Sequence, residues 1–289
     1  MTAASSAPSA AAPTGKTYAI HFGHDRHPGD SVHLVADDEN EEHTTAQLEG
    51  ATAKDTKKNV HVHFDGTDLV EALQPDGHSV LREALTVGEL WETKDGGPQD
   101  ALARAGARIE LTRAAKKADA KVTVEGRAAS KMVRDALDAL SSLKTHTGPS
   151  DNDIFGTTAP QAVGAEWPAN VALAEADLAA RGIVVAPGSL QGSSKLVSVS
   201  SDGGVDCLEI ESHVRVGSLR SLKDLPPGST VEDASIDVVF HTSLPVDASR
   251  VEPRSDMRLT MKGTFEVPSP KGKVRVTLDS VDFKRTAVK

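Results

Sequence analysis

The residues best equipped for chemistry are histidines, and they are unevenly placed. Of eleven, eight lie between residues 21 and 78: His21, His24, His27, His33, His43, His61, His63 and His78. His61 and His63 alternate with Val60, Val62 and Phe64, so strand geometry puts both imidazoles on one face. Tyr18, Ile20 and Phe22 alternate similarly around His21, and Val32 and Leu34 flank His33. If those strands are neighbours, His21, His33, His61 and His63 emerge together on the face opposite the core. A neutral ring nitrogen is a good donor to zinc or copper, and Asp25 or Asp65 would complete a shell. The competing reading is an exposed sheet face on which histidine serves as an ordinary polar residue.

Other chemical motifs fail at identifiable positions. His61-Val62-His63-Phe64-Asp65 resembles the opening of the HxHxDH motif of metallo-β-lactamase-like hydrolases, but Gly66 stands where the last histidine belongs. Gly15-Lys16-Thr17 resembles the end of a phosphate-binding loop, yet Ala10 replaces its first glycine and no strand precedes it. Asp151-Asn152-Asp153 opens like a calcium loop, but Phe155 and Ala162 occupy positions that need oxygen donors. Gly188-Ser189-Leu190-Gln191-Gly192 has its serine misplaced for a nucleophile elbow. The single cysteine, Cys207, lies in a strand pattern and reads as a buried thiol. The sequence therefore carries no catalytic signature, and no catalytic residue is assigned.

The elements that must position these residues are mostly strands. Period-2 alternation recurs from Thr17 onwards, and Lys195 to Ser200 and Val205 to Val216 flank a hairpin turn at Asp202-Gly203-Gly204. Ala234 to Leu244, Arg258 to Val267 and Lys273 to Phe283 follow as further strands. Asp37 to Glu42 reads as a solvated acidic loop, and Asp65-Gly66 as a tight turn. Two helices stand out. Ser130 to Leu143 places Met132, Val133, Ala136, Leu137, Leu140 and Leu143 on one face, and Ala174 to Arg181 is stopped by Gly182. The expected fold is α+β but mainly β: a curved or partly closed antiparallel sheet with two or more helices packed on it. Alternating βαβ units are absent, which disfavours Rossmann and TIM architectures. Residues 16–289 are read as one domain, with two related halves, 16–126 and 150–289, joined by the helix at 130–143.

Composition narrows the function. Hydrophobic residues make up 38% of the 289, enough for a core, but aromatics only 3%. A formal net charge of −10 with scattered basic residues disfavours nucleic acid as a partner. No run approaches the 18 or so apolar residues of a membrane span. Met1 to Gly15 is almost wholly Ala, Ser, Thr and Pro, a linker composition. It looks like the tether that follows a cleaved signal or a lipidated cysteine, the lipid anchor itself lying outside the sequence.

Both tryptophans sit in the pattern VGxxW: Val87-Gly88-Glu89-Leu90-Trp91 and Val163-Gly164-Ala165-Glu166-Trp167. The reading is a glycine turn followed by an aromatic anchor, used twice. With the tether, the 130–143 helix and the strand Asp206-Cys207-Leu208-Glu209-Ile210-Glu211, this pattern resembles uncharacterised bacterial secreted or lipoprotein domains. The architecture is similar to curved-sheet lipoprotein carriers of the bacterial envelope, a likeness of fold alone. It implies a non-enzymatic, exported protein of the periplasm or cell envelope holding an apolar ligand, or a partner protein, on a concave sheet. A histidine-based zinc- or copper-binding protein and a purely structural envelope component are the alternatives. No organic cofactor is implied.

Overall fold

The computed structural model describes residues 15–23, 26–75, 79–113, 120–141, 143, 148–202, 204–223 and 225–289. In chain order the elements begin with β1 (Thr17–Ile20), β2 (Ser31–Leu48), β3 (Lys54–Leu73) and β4 (Val80–Lys94). Four short strands follow: β5 (Asp100–Ala101), β6 (Arg108–Thr112), β7 (Lys121–Val124) and β8 (Arg127–Ala128). Next come α1 (Lys131–Leu140), α2 (Asp151–Phe155), β9 (Thr157–Ala162), β10 (Glu166–Pro168) and α3 (Val171–Ala180). The chain then returns to strands: β11 (Ile183–Val185), β12 (Leu190–Asp202), β13 (Val205–Val216) and β14 (Leu219–Leu222). It ends with β15 (Thr230–Pro245), β16 (Arg254–Ser269) and β17 (Gly272–Val288).

The protein is mainly β. One thirteen-stranded antiparallel sheet runs β10-β12-β13-β15-β16-β17-β2-β3-β4-β6-β7-β8, with β5 paired to β4. It is not closed. Most neighbour pairs are hairpins or short connections. The longest connection is at its centre, where the last strand pairs with the first long one, from Val274↔Leu48 to Val288↔Leu34. That seam joins N- and C-terminal strands into one hydrogen-bonded surface. Two small sheets, β1-β9 and β11-β14, flank it.

Each long strand alternates sides, and the two sides differ in chemistry. On the inner side, Phe64, Leu90, Ile109 and Leu111 pack with Val133 and Leu137 of α1. Further along the same sheet, Ile154 and Phe155 of α2 and Ala174 of α3 pack with Val214, Val216, Ile236 and Phe265. A smaller cluster joins Ile20, Trp167, Leu196, Leu208 and Leu244. Fully burying each such side chain contributes about 1.5–3 kcal/mol before entropy is counted.

The helices start where their caps require. Ser130 Oγ accepts from the Val133 amide at 3.3 Å. Ser150 and Asp153 form a reciprocal capping box on α2, so Asp153 serves the helix end. Gly182, at φ +85°, takes the left-handed turn beyond α3.

Three expectations are corrected. Asp37 to Glu42 is not a loop but the middle of the 18-residue β2. Two of its acids are engaged from adjacent strands, Asp38, which is buried, by Lys284 and Asp37 by two histidines. Asp65-Gly66 is not a turn but lies within β3, at a register shift against β4. A Cβ on Gly66 would stand 2.3 Å from the Thr86 carbonyl oxygen and 2.7 Å from the Phe64 ring, so that position admits only glycine. The two VGxxW segments also differ. Gly164 makes a left-handed turn at φ +87°, whereas Gly88 lies inside β4, its absent Cβ facing the Asp65 carbonyl. Trp167 is buried, while Trp91 stands half-buried on the outer face.

Candidate functional site

On the outer face, His61 and His63 converge as their spacing requires. They meet at Asp37 rather than at other histidines: its Oδ1 lies 3.0 Å from His61 Nε2 and 2.8 Å from His63 Nδ1. Trp91 backs both rings, stacked on His63 at 4.9 Å and edge-on to His61 at 4.8 Å. Register produces this cluster, since Asp37 is opposite His63 and His63 is opposite Trp91. Burial alone would raise the Asp37 carboxyl. The hydrogen bonds from His63 and His61 outweigh it and hold the acid below the usual carboxylate range.

The other two histidines of the expected shell lie elsewhere. His33 shares β2 with Asp37 but is four residues away, about 13 Å along the strand. There it pairs with Asp65 at 3.1 Å, so the acid expected to complete a shell is engaged outside the cluster. His21 follows β1, which pairs with β9 rather than with the large sheet. Asp25, His24 and His78 lie outside the described residues. In neutral rings, the nitrogens that meet at Asp37 carry the protons, and the lone pairs a metal would need point away. Among the described residues no group of three or more such side chains is placed to hold a metal ion.

The cluster ends a longer pattern that no local motif could reveal. Across eight strands, directly opposed residues read Lys195, Glu211, His241, Asp256, Arg285, Asp37, His63 and Trp91. Apart from Trp91, basic and acidic types alternate without a break. Arg285 reaches Asp256 at 3.0 Å and His241 reaches Glu211 at 3.7 Å. A one-residue slip of any strand would turn its member to the opposite face, so this row pins register. Replacing Asp37 with Asn is expected to cost about 1–2 kcal/mol, at the low end for charged hydrogen bonds because the site is partly exposed. Urea unfolding at pH 7 measures it; a change under about 0.5 kcal/mol would mean that the cluster adds nothing beyond a solvated ion pair.

The inner face carries a second feature. At the seam between the two large core clusters is a cleft of about 280 Å³. Its floor is Ser212, Thr242, Ser255 and Thr286 with Phe240, Met257 and Lys284; its walls include Phe22, Leu140, Asp151, Phe155 and Glu252. Small hydroxyl side chains on the floor leave the space that Leu and Phe fill in the flanking clusters. Three of the chain's six phenylalanines gather here. Phe155 lies 5.4 Å from Phe240 and 6.1 Å from Phe22, centroid to centroid. Trp167 backs this wall by donating its indole N–H to the Phe155 carbonyl at 2.7 Å.

Charge in and behind the cleft is unevenly satisfied. Lys284 Nζ sits 2.9 Å from Asp38 and 3.9 Å from Asp282, and it donates to the Ala139 carbonyl at the end of α1. Burial, then the nearby Asp38, push the Asp282 carboxyl up to about 6 against the pull of Lys284. Burial pushes Glu252 further, to about 7, with Asp151 adding to the rise and a hydrogen bond to Ser255 opposing it.

Sequence reasoning missed this cleft, because Phe22, Phe155, Phe240 and Glu252 come from four distant segments. Cys207 is fully buried, as its strand pattern implied. Among the described residues no helix is long and apolar enough to cross a membrane.

Fold and site together define a mainly-β protein built on one open antiparallel sheet, with a charged outer face and an inner face bearing core, helices and a cleft. No protein-family profile matches the chain, and no curated protein matches it either.

Proposed function

We propose that this chain is a non-enzymatic binding protein of the cell envelope that holds an apolar or amphiphilic ligand in the inner cleft. The observation that carries the reading is the aromatic-walled space of about 280 Å³ at the seam between two otherwise filled cores. Its size falls near the lower end of small-molecule pockets, about 300–1,000 Å³, and its apolar walls stand over a floor of hydroxyl and charged side chains that can orient a ligand. In this reading the sheet curves around the cleft, α1 and α2 cover it, and bulges such as that at Asp65-Gly66 supply the bend. The Ala-, Ser- and Pro-rich composition of residues 1–15, that of a tether, supports an exported location.

The test uses N-phenyl-1-naphthylamine, an uncharged dye that brightens in apolar surroundings. The protein is expected to bind it saturably with one site. Met257→Trp, which fills the cleft floor, is expected to abolish binding while leaving far-ultraviolet circular dichroism unchanged. Binding that survives in a folded Met257→Trp variant would overturn the assignment of the cleft.

A further inference from the structure

The open sheet ends in an edge that is only partly covered. β10 pairs with Ser193 to Lys195 of β12, and the corner before it bonds Leu196 through Gly164 and Ala165. Among the described residues none pairs with the free side of Val197 to Ser201. On the next strand, the Asp206 carbonyl accepts from the Val246 amide, on the side away from β12. Alternate residues of an antiparallel ladder turn the same way, so Leu208 also bonds away from β12. The residues opposite these two, Ser201 and Val199, therefore turn their N–H and C=O groups to the free side. Side chains there are also unsheltered. Among the described residues six large apolar side chains stand exposed, and three of them, Val163, Val197 and Val199, belong to this edge and its corner. Val199 lies opposite Leu208, and Leu208 opposite Leu244, both buried. Val199 is thus the open end of an apolar row. Between Val197 and Ser201 the edge has none of the lysines or prolines that usually keep such strands apart.

We propose that a second copy of this chain covers the edge, β12 running antiparallel to β12 about a two-fold axis at Val199. The ends of the free stretch set this register. The corner at Gly164 and Ala165 closes one end and the hairpin turn after Asp202 closes the other, which leaves Val199 midway. Val199 then faces its own counterpart and exchanges both backbone bonds with it, while Ser201 faces Val197. The apolar row continues from Leu244 and Leu208 across the two valines into the second copy. Charge at the ends is complementary. Lys16 is exposed beside the corner, next to the Thr17↔Ala162 pair, and Asp206 is exposed at the hairpin end, opposite Ser201. Antiparallel pairing brings the Lys16 end of each copy to the Asp206 end of the other, which offsets part of the repulsion between two chains of net charge −10. This pairing is independent of any ligand in the cleft.

Sedimentation velocity on the full chain, from micromolar to millimolar concentration, tests the pairing. The mass is expected to rise from 30.3 kDa towards twice that value. Val199→Lys sets two like charges against each other at the axis and is expected to weaken the dimer about a hundredfold. Its far-ultraviolet circular dichroism is expected to stay unchanged, since the side chain it replaces is exposed. Lys16→Asp or Asp206→Lys alone is expected to weaken the dimer about threefold, and the two together to restore it. Register is read by cross-linking. Bonded antiparallel partners have Cα atoms about 5.5 Å apart, within disulfide range, so Val199→Cys is expected to form a covalent dimer on mild oxidation. Ser201→Cys, which faces Val197, is expected to form none. A chain that stays monomeric at every concentration would overturn the dimer and leave the edge to a partner of another kind. A dimer of unchanged strength in folded Val199→Lys would place the interface elsewhere and overturn it equally.

Discussion

Replacing Lys284 with Met is expected to cost the fold about 3–5 kcal/mol at pH 8, the largest single-residue effect anticipated in this protein. Lys284 stands at the centre of the sheet on β17, the strand that joins the C-terminal strands to β2. Its ammonium lies 2.9 Å from Asp38, which is only 4% exposed, and 3.9 Å from Asp282. Methionine keeps most of the volume but leaves the buried Asp38 and the half-buried Asp282 facing each other without that counter-charge. The variant also loses the bond to the Ala139 carbonyl, a polar tie between α1 and the sheet. The deficit has a definite pH dependence. Without Lys284 the already raised Asp282 carboxyl holds its proton more tightly still, so the loss shrinks as pH falls and that carboxyl becomes neutral. Urea unfolding at pH 8 and pH 5 measures both parts. Adding Asp38→Asn and Asp282→Asn to Lys284→Met is expected to restore most of the loss at pH 8. A single variant losing under about 1 kcal/mol would show that water reaches the triad and that the ion pairs are screened.

Lys284 also shows what the sequence could and could not reveal. Strand identity was legible wherever one face is apolar, as in Val60 to Phe64 and Val205 to Val216, because side-chain direction has a period of two. The α1 and α3 segments were legible from their apolar stripe and their stop signal. The acidic run at Asp37 to Glu42 was misread because strand propensity is local, whereas the charges that make those acids tolerable sit on β17 and β3. The same limit hid the cleft and the cross-strand row of alternating charge. Pairing register creates both, and register depends on the order of strands in the sheet. That order departs from chain order at the β17-β2 seam, which joins residues more than two hundred positions apart. His61 and His63 needed no such knowledge to be placed together, since two residues of one strand share a face. Their partner, Asp37, needed all of it.

Glu252 provides the complementary expectation, a stability that falls as pH rises. Its carboxyl is pushed from 4.5 to about 7 chiefly by burial, and that of Asp282 from 3.8 to about 6. In each case the folded state holds its proton over a range where the unfolded chain has released it. Unfolding then releases protons between about pH 4 and pH 7, so stability declines with rising pH across that window. For Glu252 the gap is worth at most about 3 kcal/mol, and residual solvent access brings it to about 2. Asp37 runs the other way, because its lowered carboxyl contributes stability above the ordinary aspartate range and loses it only as pH falls below. Glu252→Gln, neutral at every pH, is expected to match the parent near pH 4.5 and to exceed it by about 2 kcal/mol at pH 8. Urea midpoints from pH 4.5 to 8 measure the two curves. Parallel curves would mean that Glu252 is hydrated in the folded state. Converging curves at low pH would identify a carboxyl held in an unfavourable place against the stability of the fold. That is the arrangement expected where a site keeps a buried acid at the expense of fold stability.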